Sequence, residues 1–208
     1  MDDKRRLILD QALALVDEHG LGAMSMRAVA ERVGLTSMAL YPYVGGKDAL
    51  LDGLVDLLHQ ELGSAVVEDH DWQRRLFALG RAVRQLAHAH PGAFPLLLNR
   101  AAAGASTSWL TAALRATLHD AGVPDGEVPR LARLICAFLL GYTTGEITGG
   151  LPGVPLNAAG GDLPEPEAGG KLPGTETEAA GGRSAAAAEF DADLEDLVRL
   201  VEVAVRVR

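Results

Sequence analysis

Apolar residues recur at three- and four-residue intervals along most of this chain, a pattern typical of helices that bury one face. Alanine, leucine and valine supply most of the apolar bulk and aromatic residues are scarce, which favours packed helices over strands. We therefore predict an all-α protein. The predicted elements cover residues 26–33, 37–44, 48–64, 72–88, 94–100, 105–120, 125–147 and 185–207.

Two short helices joined by a glycine turn are predicted between residues 25 and 47. Ser25 and Thr36 are suitable N-caps for the two helices, and Gly34 tolerates the left-handed backbone of the turn between them. The small side chain of Ala30 permits a close, steep crossing. In the second helix the inward side chains are predicted to be Leu40 and Val44, and the outward ones Ser37, Met38, Ala39, Tyr41 and Tyr43. This arrangement indicates a helix-turn-helix that reads DNA.

The second helix is expected to enter the major groove with its N-terminal half nearest the base edges. Because that half holds no Arg, Asn or Gln, bases would be read by hydroxyl groups, by apolar contact with thymine methyl groups and by a tyrosine. Lys47, beside the first amides of the following helix, suits a phosphate. Pro42 is expected to shorten or kink the helix. The DNA-binding candidates are Arg27, Thr36, Ser37, Met38, Ala39, Tyr41 and Lys47.

A family resemblance rests on residues 40–47, Leu-Tyr-Pro-Tyr-Val-Gly-Gly-Lys. This string resembles the end of the recognition helix in the TetR family of one-component repressors, whose pattern is Leu-Tyr-x-[His/Tyr]-[Val/Phe]-x-x-Lys. The resemblance extends upstream through residues 5–20, which are similar to the family's first helix, and it weakens after residue 65. It implies that operator DNA is touched by Arg27, Ser37 to Ala39, Tyr41, Tyr43 and Lys47.

The resemblance and the helix pattern together predict a three-part organisation. Residues 1–47 would form a three-helix helix-turn-helix DNA-binding domain, residues 48–64 a linking helix, and residues 65–208 a larger helical ligand-binding and dimerisation domain. Residues 149–183 are rich in Gly and Pro and poor in large apolar groups, so we expect a flexible loop. This loop is either an unconstrained insertion or a lid over a ligand entrance.

The last two long helices carry apolar stripes that suit helix pairing. The final stripe has heptad-like spacing and consists of Phe190, Leu194, Leu197, Val201 and Ala204. The preceding helix has a row of small residues at Ala137, Gly141 and Gly145. The resemblance implies that these helices pair across a two-fold axis in a homodimer. The alternative is that both stripes pack inside one subunit.

The net charge of −9 is unusual for a DNA-binding protein, because such domains are often strongly basic. Residues 1–47 are neutral overall, with cations at the amino end and around the motif, and four of the nine excess negative charges lie in residues 149–182. We therefore expect weak non-specific affinity, a shallow dependence on salt, and specific binding to double-stranded operator DNA by two copies on a palindrome.

A small-molecule effector is expected to bind among the helices between residues 72 and 142. The candidate ligand-binding residues are His59, Phe94, Leu97, Asn99, Trp109, Phe138 and Tyr142. The positions that bind drug and magnesium in tetracycline repressors hold Gly63, Leu79, Val83 and Leu96 or Leu97 here. The effector is therefore expected to be a more apolar molecule, with no metal or cofactor. The alternative is that these stripes are plain core.

No residues of the sequence predict an enzyme. His88 and His90 lack a nearby set of further metal ligands, and no glycine-rich phosphate loop follows a strand. Cys136 is the only cysteine, which favours a reducing cytoplasm, and no apolar run approaches the roughly 20 residues that span a bilayer. The expected function is a ligand-released repressor without a membrane partner. The alternative function is a helical protein-interaction module that does not bind DNA.

Overall fold

The computed structural model describes residues 3–65, 71–100, 109–150 and 176–206, with the side chains of the last helix described from residue 186 onward. Within these ranges all regular secondary structure is helical, which confirms the predicted all-α class. A short 3-10 turn covers Leu21–Ala23. The helices are α1 Asp3–His19, α2 Met26–Arg32, α3 Ser37–Val44, α4 Lys47–Ala65, α5 Trp72–Ala89, α6 Leu96–Asn99, α7 Trp109–Asp120, α8 Val128–Thr148 and α9 Glu176–Arg206.

The first three helices form an N-terminal head that packs against α4. The centre of this head contains Val16 of α1, Val29 of α2 and Leu40 of α3, all fully buried. The head shares its core with α4, whose leucines at 50, 51, 54, 57, 58 and 62 are all buried. α4 is one continuous helix, and its apolar side chains pack against the head and against the larger domain. A movement of one part is therefore transmitted to the other through α4.

The larger domain is organised around α5, which packs against α4, α7, α8 and α9. One face of α5 supplies Leu76, Leu79, Val83 and Leu86 to the core, as its apolar spacing predicts. α5 ends at Ala89, at the predicted break before Pro91. Two further predicted boundaries are close to the structure, since α4 and α8 begin within three residues of their expected starts.

The heptad-like stripe of α9 does not face a second subunit. Phe190, Leu194, Leu197 and Val201 are buried within the single chain, so their prediction as an intersubunit seam is wrong. α9 packs against α5 at a position where a Cβ on Gly80 would lie only 2.4 Å from Leu194 Cδ2. The missing side chain at this glycine lets the two helices approach, and the stripe fills the groove that results.

The predicted loop over residues 149–183 is partly wrong. α9 begins at Glu176, before the predicted start at residue 185. Glutamate and alanine, which predominate over residues 176–180, are strong helix formers, and they extend the helix upstream of the alanine run. Residues 151–175 lie outside the described residues. So do the expected helix start at 105–108 and residues 66–70, which belong to the loop expected over residues 66–71.

Candidate DNA-binding surface and ligand-binding region

The two helices of the motif begin at the predicted caps. Ser25 Oγ accepts a hydrogen bond of 3.1 Å from the amide of Ala28. Thr36 Oγ1 accepts one of 3.3 Å from the amide of Ala39. Each cap supplies a side-chain acceptor to an amide of the first turn, and this favours a helix start at that residue.

The turn between α2 and α3 has the predicted left-handed glycine. Gly34 has φ +69°, and its amide donates to the carbonyl of Glu31 at 3.3 Å. The amide of Leu35 donates to the carbonyl of Ala30 at 2.9 Å, which closes the end of α2. Leu35 is partly buried against the core. This pair of hydrogen bonds is the Schellman arrangement that glycine favours, and it sets the direction in which α3 leaves the turn.

α3 presents an apolar inner face and an exposed outer face. Leu40 and Val44 are buried, whereas Met38 is 77% exposed and Tyr41 is 46% exposed. Thr36 is exposed, and the side chains of Ser37 and Ala39 are half-buried beside them. α3 has only eight residues and contains Pro42, in agreement with the short helix expected. Its outward surface therefore consists of a thioether, a phenol and small side chains.

Tyr43 does not share that outward surface. Its ring is partly buried against the hydrophobic core, and Lys4 Nζ lies 5.5 Å from the ring centroid. The outward orientation expected of Tyr43 is therefore wrong, because the three- and four-residue spacing places it close to the inner face formed by Leu40 and Val44. The hydroxyl end of a half-buried tyrosine can still reach a phosphate beside α3.

The cations around the motif have different roles. The side chain of Arg27 is 84% exposed and lies 2.8 Å from Glu31, one turn further along α2. Lys47 is exposed at the first position of α4. Arg32, in contrast, is held between two side chains of α1, donating to Gln11 and Glu18. Its hydrogen bond lowers the pKa of the Glu18 carboxyl, and the pair ties α2 to α1.

The candidate ligand-binding residues fall into separate groups. Trp109 covers Gly63 of α4, where an added Cβ would lie 3.3 Å from the indole ring. His59 lies on α4, and its Nδ1 is buried without a hydrogen-bond partner in the described part of the chain. Burial lowers the pKa of His59. These two candidates lie near one another, since Gly63 follows His59 by one turn of α4.

Phe94, Leu97 and Asn99 lie on or beside α6, where they differ in exposure. Phe94 is completely buried, Leu97 is partly buried and Asn99 is exposed. The adjacent Arg100 reaches back to the first turns of α4, with Nη2 3.2 Å from Asp48 Oδ1 and Nε 3.2 Å from Asp52 Oδ1. α6 is thus linked to the start of α4 by ion pairs.

Phe138 and Tyr142 form a third group with Phe190 of α9. The Phe138 and Tyr142 centroids are 5.6 Å apart, and those of Tyr142 and Phe190 are 5.1 Å apart. Burial, aided by nearby carboxylates, raises the pKa of Tyr142 to about 12. The Arg84 guanidinium lies 5.7 Å from the Phe190 ring and is paired with Glu146. The spacing of aromatic residues along α8 indicated Phe138 and Tyr142. The sequence indicated Phe190 only as part of the heptad-like stripe of α9, and no local signal indicated Arg84.

Two clefts on the surface of the described part of the chain contain none of the seven ligand-binding candidates. A cleft of about 330 Å³ between α5 and α9 has Arg84, His88 and Phe190 in its wall. A larger cleft of about 610 Å³ lies between α1 and α4. The aromatic group on α8 lies beside the first of these clefts, since both share Phe190.

Two family models match this chain. The model described as bacterial regulatory proteins of the tetR family matches residues 8–54, and the tetracycline repressor-like C-terminal domain matches residues 76–161. The chain belongs to the TetR family. The first match covers the helix-turn-helix and the first eight residues of α4, so it includes the exposed face of α3 described above. Among the described residues, no helix combines the length and apolarity needed to cross a membrane.

Individual TetR-family members are similar to this chain over most of its length. The transcriptional repressor DrrR1 of Streptomyces coeruleorubidus is 27% identical over 67% of the chain and 52% of its own length. The class A tetracycline repressor of Escherichia coli is 29% identical over 68% and 66%. A solved structure of a possible TetR-family regulator from Streptomyces coelicolor A3(2) is 28% identical, with a TM-score of 0.70 over 98% of this chain and 100% of that one. The chain spans only about half the length of DrrR1.

Proposed function

We propose that this TetR-family protein is a homodimeric repressor that binds a palindromic operator and is released from it by a small apolar effector. The observation that carries the proposal is the outward face of α3, where Met38 and Tyr41 are exposed on a helix that begins at the Thr36 cap after the turn at Gly34. A short, rigid helix with exposed side chains fits the major groove. Residues 1–47 would bind DNA, residues 48–64 would link, and residues 65–208 would bind effector and partner.

Direct base contacts are assigned to the outer face of α3 and phosphate contacts to its flanks. Met38 and Tyr41 would contact base edges, with thymine methyl groups as their preferred apolar targets. Thr36, Ser37 and Ala39 allow close approach of the helix to the groove. Phosphates would be bound by Arg27, Tyr43 and Lys47, which flank this face.

This assignment predicts the effect of removing the tyrosine. A random-oligonucleotide selection with the full chain should enrich a palindrome, and Tyr41→Ala should weaken binding to it by about 10- to 100-fold, because two heads each lose base contacts. A fluorescence-anisotropy titration at fixed salt measures the difference. His119→Ala, which removes a ring of similar exposure on α7, should bind as the wild type does.

The same titration tests the direction of the switch. Apolar effector candidates should lower operator affinity. The factor is set by how much more tightly they bind the conformation that does not fit the operator than the conformation that does. Tighter operator binding with a bound effector would contradict release. If the random-oligonucleotide selection enriches no sequence, the DNA-binding proposal is contradicted and a protein-interaction role is favoured.

The outer surfaces of α8 and α9 are proposed as the dimer interface. Leu134, Leu200 and Val203 are large apolar side chains with exposures of 44%, 38% and 57%. A groove of about 370 Å³ separates the two helices beside Leu200 and Val203. On α8 a Cβ at Gly141 would meet nothing within 4 Å, so this face leaves room for a partner helix. A second copy is the occupant because two half-sites require two heads, roughly 34 Å or a multiple apart.

A charge placed on this surface should break the dimer. Leu200→Asp should change the sedimentation coefficient at micromolar concentration from that of a dimer to that of a monomer, because it buries a carboxylate without a partner. Leu7→Asp is the matched control, since Leu7 is 52% exposed on α1 in the head. An unchanged dimer in Leu200→Asp would place the interface elsewhere.

The ion pairs of Arg100 give the effector a route to the head. They connect the end of α6, beside the ligand candidates Leu97 and Asn99, to the first turns of α4. A change in α6 would therefore move the helix that starts with Lys47. The separation of the two heads would change with it, and the heads would no longer fit the spacing of the two half-sites.

A further inference from the structure

His90 contacts both parts of the molecule through its two ring nitrogens. It follows the last residue of α5, and its Nδ1 lies 2.6 Å from Asp17 Oδ2 on α1 of the head. Its Nε2 lies 3.0 Å from Glu61 Oε2 near the end of α4. The side chains of His90 and Asp17 are each only 18% exposed. A single imidazole therefore bridges the head, the linking helix and the ligand-binding domain.

The backbone after His90 reinforces this contact. The amide of Ala93 donates to Asp17 Oδ1 at 3.3 Å, so both carboxylate oxygens of Asp17 are engaged by the same short segment. A Cβ at Gly92 would lie 2.2 Å from the backbone oxygen of Val16. The segment is thus pressed directly against the last turns of α1, with no side chain between the two backbones.

The charge state of the bridge depends on one proton. A protonated imidazole donates to a carboxylate at each nitrogen, whereas a neutral ring presents a lone pair to one of them. The hydrogen bond to Asp17 is the largest of the effects that raise the pKa of His90, and both carboxylates add to it while burial opposes it. Because the carboxylates lie at opposite ends of the ring, the three side chains do not converge on a metal ion.

The other charged groups around the bridge are already paired. The cleft between α1 and α4 that ends at His90 also contains Arg6 and Asp10, which form an ion pair of 2.8 Å on α1. α4 contributes the neutral side chains of Gln60 and Ser64 beside Glu61. On α5 itself His88 lies 3.4 Å from Glu146, away from the bridge. Asp17 and Glu61 are therefore the charges that His90 meets directly.

We propose that the Asp17–His90–Glu61 bridge is a proton-dependent clamp that holds the head against the ligand-binding domain. In the protonated form the clamp is closed, and loss of the proton loosens the end of α1 from the segment after α5. The proposal rests on the proposed function only in its consequence for DNA. When the clamp is open, DNA binding must order the loosened head again. This ordering costs free energy, so operator affinity falls as the clamp opens.

The direction of the pH dependence follows from the raised pKa. The contribution of the clamp is fully present below the pKa of an unfolded histidine, about 6.5. It is lost as the pH rises through the higher pKa of His90 in the folded protein. Each unit by which the bridge raises this pKa corresponds to about a tenfold change in the equilibrium between closed and open clamp.

The test uses amide hydrogen exchange of the whole wild-type chain, with protection factors corrected for the intrinsic effect of pH. Protection at the end of α1, around Val16 and Gly20, should fall by about tenfold per unit of pKa elevation between pH 6 and pH 9. His90→Gln should have low protection there at every pH. His88→Gln, two residues earlier and 46% exposed, should follow the wild type.

A second variant tests the bridge without changing the histidine. Asp17→Asn should lower the pKa of His90, measured by NMR of labelled histidine side chains. A wild-type pH dependence in His90→Gln, or an unchanged His90 pKa in Asp17→Asn, would overturn the clamp. Neither measurement needs DNA. A chain that shows the clamp but binds no operator would refute the proposed function alone.

Discussion

Lys47→Ala should weaken operator binding by about 10- to 100-fold without unfolding the protein. Lys47 is exposed at the first position of α4, where its ammonium and the unpaired amides of the first turn form one anion-binding end. A homodimer loses two such contacts at once. A loss of tenfold corresponds to about 1.4 kcal/mol, a modest value for two charge-assisted contacts in a screened environment.

The salt dependence separates a phosphate contact from a structural defect. Removing two phosphate-bound lysines per dimer should reduce the slope of log affinity against log salt by about 1.8. Arg74→Ala removes the same charge at a site 76% exposed near the start of α5, at the end of that helix away from the head. Equal slopes for Lys47→Ala and the wild type would contradict the phosphate assignment. The total slope should remain shallow because few cations surround the motif.

Gly92→Ala should lower the free energy of unfolding by about 3 kcal/mol. Its Cβ would lie 2.2 Å from the oxygen and 2.9 Å from the carbonyl carbon of Val16, and 3.0 Å from Asp17 Cα. These atoms are backbone atoms of α1, so no side-chain rotation relieves the overlap. Overpacking of this kind typically costs about 1–3 kcal/mol, and an overlap with backbone belongs at the upper end. Urea denaturation followed by circular dichroism measures the change.

Gly126→Ala provides the control for this substitution. Gly126 lies in the turn before α8, and a Cβ there would meet nothing within 4 Å. This variant should denature at the wild-type midpoint or slightly above it, because alanine reduces the freedom of the unfolded chain. The same midpoint for Gly92→Ala would show that the segment after α5 moves away from α1 at little cost.

The sequence predicted local features of the N-terminal head well, because short-range chemistry determines them. A hydroxyl three residues before an amide is enough to start a helix, and this identified Ser25 and Thr36. The left-handed turn at Gly34 follows from its missing side chain. The pattern of Leu40 and Val44 likewise gave the inner face of α3. The orientation of Tyr43 was wrong because it lies at the boundary between the two faces, where spacing alone does not decide.

The arrangement of the ligand-binding domain was less predictable. Apolar stripes on α8 and α9 were visible in the sequence, but a stripe contains no information about whether its partner belongs to the same chain. The glycine that receives Leu194 lies on α5, more than a hundred positions earlier. The surface that we propose for a second copy therefore consists of residues outside the heptad-like stripe, among them Leu200 and Val203.

The residues of the chain alone determined an all-α protein with a capped helix-turn-helix at its amino end, since capping, turn geometry and helix period act within a few residues. Only the tertiary structure decided which apolar face of α9 is buried and that Asp17, Glu61 and His90 meet around one imidazole. These contacts join positions far apart in the chain. They are set by how whole helices pack, which local pattern does not specify.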